Sequence, residues 1–270
     1  MNLDALDISI LGPAFTAGLI VLATHVPLGR QVLARGIIFI DLAIAQIAAL
    51  GVIAAQYFGL DEHGNTVGVQ LAAAAAALAG AALLAWTDKK WPKLQEPLIG
   101  TLFVLAATGG LLLLANNPQG GEHLKDLLVG QILWVSYGQL VPAALLSAAL
   151  LALLVWRRGH LHGLLFYGAF ALAITASVQL LGVYLVFASL IVPALATIAL
   201  AGRKRQLVAA YAIGVLGYFA GLTLSALFDL PSGALIVWTL AACALFAQLV
   251  PGLRRRQADA APAEDAELAI

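Results

Sequence analysis

The chain has 270 residues, of which 62% are hydrophobic and 10% charged, and its formal net charge is zero. A soluble domain is about 45–50% apolar and about 25% charged, so a water-soluble core is excluded, and the balanced charge argues against nucleic acid as a partner. The single cysteine, Cys243, allows no disulfide within the chain and no cysteine metal site.

The amino end carries Asp4 and Asp7 with no basic stretch ahead of the first apolar run, so no cleavable signal is expected. A bilayer-spanning helix needs about 20 mostly apolar residues. The runs predict spans at 8–29, 36–58, 67–86, 98–115, 138–156, 163–181, 183–201, 207–228 and 233–250. The fold class is an all-α polytopic transmembrane bundle of eight or nine helices. The pair 163–181 and 183–201 is divided at Gly182.

Span 1 holds His25 just before Pro27 and Gly29. Its imidazole suits zinc, or is a packing residue. Span 2 holds Asp41, the one acid well inside a span, on the order of 9 Å from the inner end at about 1.5 Å per residue. An ionised group at a helix centre costs about 2.5–3.5 kcal/mol on insertion scales, so it should face protein or water. It either lines a cation path or is a protonated or Arg-paired structural residue. Gln46 lies five residues on, about 140° around the helix, and either supplies an amide oxygen or bonds between helices. In span 3, Ala72–Ala77 marks close helix packing.

Asp61, Glu62 and His63 cluster in one outer loop, and Glu122 and His123 in the next. Both attract cations or are ordinary solvated loop. The apolar segment 127–136 is too short to cross and predicts a surface or re-entrant helix. His160 and His162 flank the shortest inner loop. Pro193 is placed to kink span 183–201 or to free carbonyls for a path. Asp229 opens the turn 229–233, as a turn former or as a carboxylate at an outer mouth. The membrane domain is 1–253. Residues 254–270, rich in Ala, Asp and Glu, predict a disordered cytoplasmic tail. No nucleophile–base set, phosphate loop or HExxH stands out, so the chain does not read as an enzyme.

Thirteen of the 14 Lys and Arg residues fall in alternate gaps: Arg30 and Arg35; Lys89, Lys90 and Lys93; Arg157 and Arg158; Arg203 to Arg205; Arg254 to Arg256. Only Lys125 breaks the pattern. Short loops rich in Lys and Arg stay cytoplasmic, which predicts an external amino terminus and an internal carboxyl terminus.

The stretch GLTLSALFDLPSGA at 221–234 resembles the GLTxSAxxDxPxG segment of the permease subunits of zinc/manganese-type ABC importers. Gly182 to Val186, running on to Leu190–Ala194, is similar to that family's VGxLLVxxLLIIPA. Pro27-Leu28-Gly29, Arg35 and Gly51-Val52 fit the start of its pattern, and Gly130-Gln131-Ile132-Leu133 with Val135-Ser136 fits its external GDxLxVS. The resemblance covers nearly the whole chain. It implies a homodimer in the bacterial inner (cytoplasmic) membrane, two cytoplasmic ABC ATPase subunits and an external metal-binding protein. It implies no permanent cofactor, the transported zinc or manganese ion being the cargo. The metal-path candidates are Asp41, with Gln46 as an auxiliary oxygen, and Asp229 at the outer mouth.

Three departures stand against the family pattern. On span 2 the family places an Asp four residues before a His. Matching from Arg35 puts Asp41 on that Asp, and matching back from Gly51 puts Gln46 on that His. The two frames differ by one residue, and the His is gone. Gln131 replaces an acid. The inner segment after span 5, which normally carries an ATPase-docking helix, shrinks to Arg157–His162. Docking would then use 87–97 or 202–206. A transporter or channel independent of ATP is the alternative, and a non-transporting scaffold a third reading.

Overall fold

A computed structural model describes residues 7–60, 66–115, 128–158 and 160–249. Among these residues there are helices and no strands: α1 (Ile8–Arg35), α2 (Ile40–Tyr57), α3 (Thr66–Lys90), α4 (Gln95–Leu114), α5 (Tyr137–Trp156), α6 (Gly163–Leu181), α7 (Val183–Ala196), α8 (Arg203–Phe228) and α9 (Ser232–Leu249), with 3-10 turns at Pro92–Leu94 and Ile132–Trp134. Eight are long and apolar enough to cross a membrane, whereas α7 has 14 residues. The clusters at Asp61–His63, Glu122–His123, Lys125 and Arg254–Arg256, and the tail 254–270, lie outside the described residues.

Most of the basic clusters ride on helix ends rather than in loops. Helix α1 runs through the predicted loop 30–35 and stops at Gly36, whose left-handed backbone turns its N–H onto the Leu33 and Val32 carbonyls. Its 28 residues give a rod of about 42 Å, longer than a hydrocarbon core of about 30 Å, so its last turns carry charge out of the apolar slab. Lys89 and Lys90 end α3, and Arg203 begins α8.

These clusters meet at one end of the bundle. The Arg35 guanidinium donates to the Leu161 carbonyl and lies 3.6 Å from the Phe166 ring centroid. The Leu161 N–H donates to Gln31 Oε1 at 3.0 Å, Arg203 donates to the Arg158 carbonyl at 2.6 Å, and Arg30 donates to Gln206 Oε1. The opposite end gathers Val129, Gly130, Leu181, Gly182 and Gly233. The alternation of charge in the sequence is therefore an alternation of ends in space.

Gly182 does divide α6 from α7. Its φ of 79° and ψ of 162° fall where only glycine is comfortable, and a Cβ there would strike the backbone of Gly130, which itself has φ 71°. From that end α7 descends to the basic end. Gln206 Nε2 donates to the Ile198 carbonyl at 3.2 Å and to that of Leu200 at 2.7 Å, and Gln248 Nε2 donates to that of Ala196 at 2.7 Å. The helix ends five residues before the predicted boundary of 201. At about 1.5 Å per residue it spans about 21 Å, and the following turns complete the crossing. The short helix is tolerated because protein encloses it: Val183, Leu185, Val186, Leu190 and Ile191 are all buried.

Several motif residues prove to be packing devices. Pro27 cannot donate to the Ala23 carbonyl four residues back, and the Tyr211 hydroxyl donates to it instead at 2.9 Å. Tyr211→Phe removes that donor, a loss of about 1–3 kcal/mol for an orphaned carbonyl. We expect a lower thermal unfolding midpoint in detergent with unchanged helix content by circular dichroism. A Cβ on Gly29 would strike the Leu190 carbonyl, so α1 and α7 touch backbone to backbone. Gly51 meets Ala72, Ala73 and Ala76, which accounts for the alanine run. Of the segment predicted as a short helix at 127–136, the described part is helical at Leu128 and Val129 and continues as a loop with one 3-10 turn, Ile132 buried against the bundle.

Candidate functional site

Asp41 lies in the first turn of α2, not on the order of 9 Å inside a span, because residues 36–39 form the connection from α1. It is nonetheless only 1% exposed, and its Oδ1 is enclosed with no hydrogen-bond partner among the described residues. The N–H groups of Asp41 and Leu42 act on the carboxylate, as expected where a helix begins. The Arg-paired reading fails: Arg35 is engaged with Leu161 and Phe166 and lies in the field of Asp88. Among the described residues Asp41 forms no ion pair.

A second acid enters here. Glu96, in the first turn of α4, accepts from the Phe39 N–H through Oε1 at 3.3 Å, and its Oε2 is enclosed and unpartnered. It is close enough to act electrostatically on Asp41. Beside it, Gln95 locks α3, α4 and α6 together: Oε1 accepts from Thr87 Oγ1 at 2.9 Å, and Nε2 donates to the Leu84 carbonyl at 2.9 Å and to Tyr167 Oη at 3.1 Å.

The other predicted residues do not join Asp41. Gln46 is buried on the same helix, and among the described residues its amide makes no hydrogen bond to Asp41. His25 is fully buried in α1. Its Nδ1 donates to the Val21 carbonyl at 2.9 Å, which leaves Nε2 as an unpartnered lone pair. No group of three or more His, Cys, Asp or Glu side chains able to hold a metal occurs among the described residues. Asp229 is exposed and caps α8 at the opposite end, in left-handed conformation (φ 53°, ψ 47°). Its turn is closed by Ser225 Oγ, which donates to the Leu230 carbonyl at 2.6 Å and lies 2.8 Å from Ser232 Oγ. The short segment between α5 and α6 is tied to α1 through Leu161 and is not helical between His160 and His162.

A cavity of about 660 Å³ opens at the end away from the basic clusters, between α3, α5 and α6. Gln70, Gln131, Gln139 and Gln179 line it, together with Thr175, whose enclosed hydroxyl has no partner. None of Asp41, Gln46 or Asp229 reaches it. Gln139 is partly committed, since its Oε1 accepts from the Ser136 N–H at 3.0 Å to cap α5. This cluster of amides is invisible as a linear motif because its members come from three helices and a loop. Glu96 had a local signal: an acid beside Pro97 at the edge of a basic stretch.

Residues 7–166 and 159–251 match the model of a family described as the ABC 3 transport family. Over 165 residues the chain is 30% identical to a Haemophilus influenzae protein described as a probable iron transport system membrane protein, covering 54% of this chain and 61% of that one. The chain thus matches about three fifths of that relative's length. Its fold is similar to the solved structure of PsaBC from Streptococcus pneumoniae in complex with Fab, with a TM-score of 0.72 at 20% identity, covering 92% of this chain and 94% of that one.

Proposed function

We propose, from the premise that this chain belongs to the ABC 3 transport family, that it is the membrane-spanning permease subunit of an importer carrying a divalent metal ion into the cytoplasm. The observation that carries this reading is the buried, unpaired carboxylate of Asp41. A dication cannot enter hydrocarbon unassisted, and an enclosed acid with no counter-charge is a liability in a protein that does not carry cations. The chain works as a homodimer in the bacterial inner membrane, with cytoplasmic ABC ATPase subunits that hydrolyse ATP and an external metal-binding protein. The gathering of the Lys and Arg clusters at one end supports a cytoplasmic face there, with the amino terminus and Asp229 outside.

Zinc and manganese are the metals suggested by the family resemblance, and the Haemophilus relative's description adds iron. Amides at Gln46 and Gln131 favour oxygen coordination, which suits manganese better than zinc. The cavity lined by Gln70, Gln131 and Gln179 is the outer vestibule of this reading.

The short 157–162 segment favours a second reading, a transporter of this family that no longer uses ATP. Affinity purification of the detergent-solubilised chain separates the two. The ABC reading expects an ATPase to co-purify in stoichiometric amount, and a dimer without ATPase contradicts it.

A further inference from the structure

Asp41 and Glu96 belong to different helices and share one feature: each keeps an enclosed carboxylate oxygen, Oδ1 and Oε2, with no partner. Glu96 is close enough to act electrostatically on Asp41, and like charges in a poorly solvated site repel. Among the described residues neither acid forms an ion pair, and Arg35 donates to the Leu161 carbonyl and lies over the Phe166 ring. The start of α2 offsets only about half a charge. Glu96 Oε1 is fixed by the Phe39 N–H, which holds the side chain of α4 over the first turn of α2. Glu96 is half-buried, whereas Asp41 is enclosed.

We propose that Asp41 and Glu96 together form an oxygen-only cation site at the inner end of α2 and α4. A hard dication of the manganous or ferrous type is held there before release. The inference rests on the metal-permease reading and adds Glu96 to it. A dication between the two acids cancels their repulsion and completes both orphaned oxygens. Carboxylate oxygens with water filling the remaining positions select manganese-type ions over ions that prefer imidazole or thiolate. With two protein carboxylates the site binds weakly, as a release point requires.

The test is a titration of the purified full-length chain with manganous ion, following the free ion by electron paramagnetic resonance. Wild type is expected to bind one ion per chain. Asp41→Asn and Glu96→Gln should each weaken binding by at least about tenfold, the lower end of what disturbing a metal's surroundings costs. Asp7→Asn, the same charge change at the far end of α1, should leave it unchanged. If Glu96→Gln yields no folded protein, Glu96→Asp decides, with several-fold weaker binding expected. Wild-type affinity in the Glu96 variants overturns the pair. When Asp41→Asn alone loses binding, Glu96 is not a ligand and the transport role of Asp41 stands. Failure of wild type to bind the ion at all overturns the site, and uptake by Asp41→Asn then judges the permease reading separately.

Discussion

Asp41→Asn abolishes metal uptake while leaving the protein inserted and folded. The substitution keeps the shape of the side chain and an oxygen for the N–H groups at the start of α2. It removes the charge that a dication needs. Asp41 is 1% exposed and lacks a counter-ion among the described residues, so ionisation carries a desolvation penalty that the N–H groups at the start of α2 offset only in part. Removing that charge relieves the penalty. The variant should therefore unfold at the same or a higher temperature than wild type, even as transport falls by more than the 10–100-fold loss typical of a disturbed second shell around a metal. A structural aspartate behaves in the opposite way, with lower stability and residual transport. Uptake measured alongside the thermal midpoint in detergent distinguishes the two, and wild-type uptake would refute the path role.

Gly182→Val has the largest expected effect on the fold. The backbone there, at φ 79° and ψ 162°, costs a residue with a side chain about 1–3 kcal/mol. The added Cβ must also displace the backbone of Gly130. Because this contact seats the loop before α5 on the α6–α7 break, the strain reaches three helices at once. We expect little monodisperse protein by size-exclusion chromatography and a strongly lowered thermal midpoint. Gly100→Ala is the matched control. That glycine sits inside α4, where an added Cβ would meet open space, so alanine there should be neutral or stabilising by about 0.5–1 kcal/mol. Equal damage from both substitutions would show that the break at Gly182 is not the cause.

The bundle was largely legible in the sequence because a lipid solvent leaves few options. Long apolar runs must be helices, and the Lys and Arg clusters mark which ends lie together. Helix ends were harder. The runs stop where hydrophobicity stops, whereas α1 continues to Arg35 because a helix can project beyond the bilayer and is ended by Gly36. The same gap between composition and geometry moved Asp41 from well inside a span to the first turn of α2. Its burial comes from neighbouring helices, not from depth along its own.

The resemblance motifs divide in an instructive way. Pro27, Gly29, Gly182 and Ser225 hold helices and turns together, and Asp229 ends a helix in an exposed turn. Their spacing reports close packing rather than chemistry. Among the polar features that packing leaves unexplained are Asp41 with Glu96, the lone pair on His25, Gln31 Nε2, and the amides and Thr175 around the cavity. These groups are assembled from separate helices, so no single stretch of sequence displays them. Gln46 and Gln131 could be found one at a time, but only the fold shows that Gln131 faces Gln70 and Gln179 across a cavity while Gln46 does not.

The most direct test of the central claim is uptake of radiolabelled manganese, zinc and iron by cells that depend on this chain for metal. Each is measured with the chain present, with it deleted, and with cellular ATP depleted. The account predicts accumulation of at least one of the three ions, manganese or ferrous iron ahead of zinc, that disappears on deletion and on ATP depletion. Metal accumulation that is unchanged by deleting the chain would contradict it.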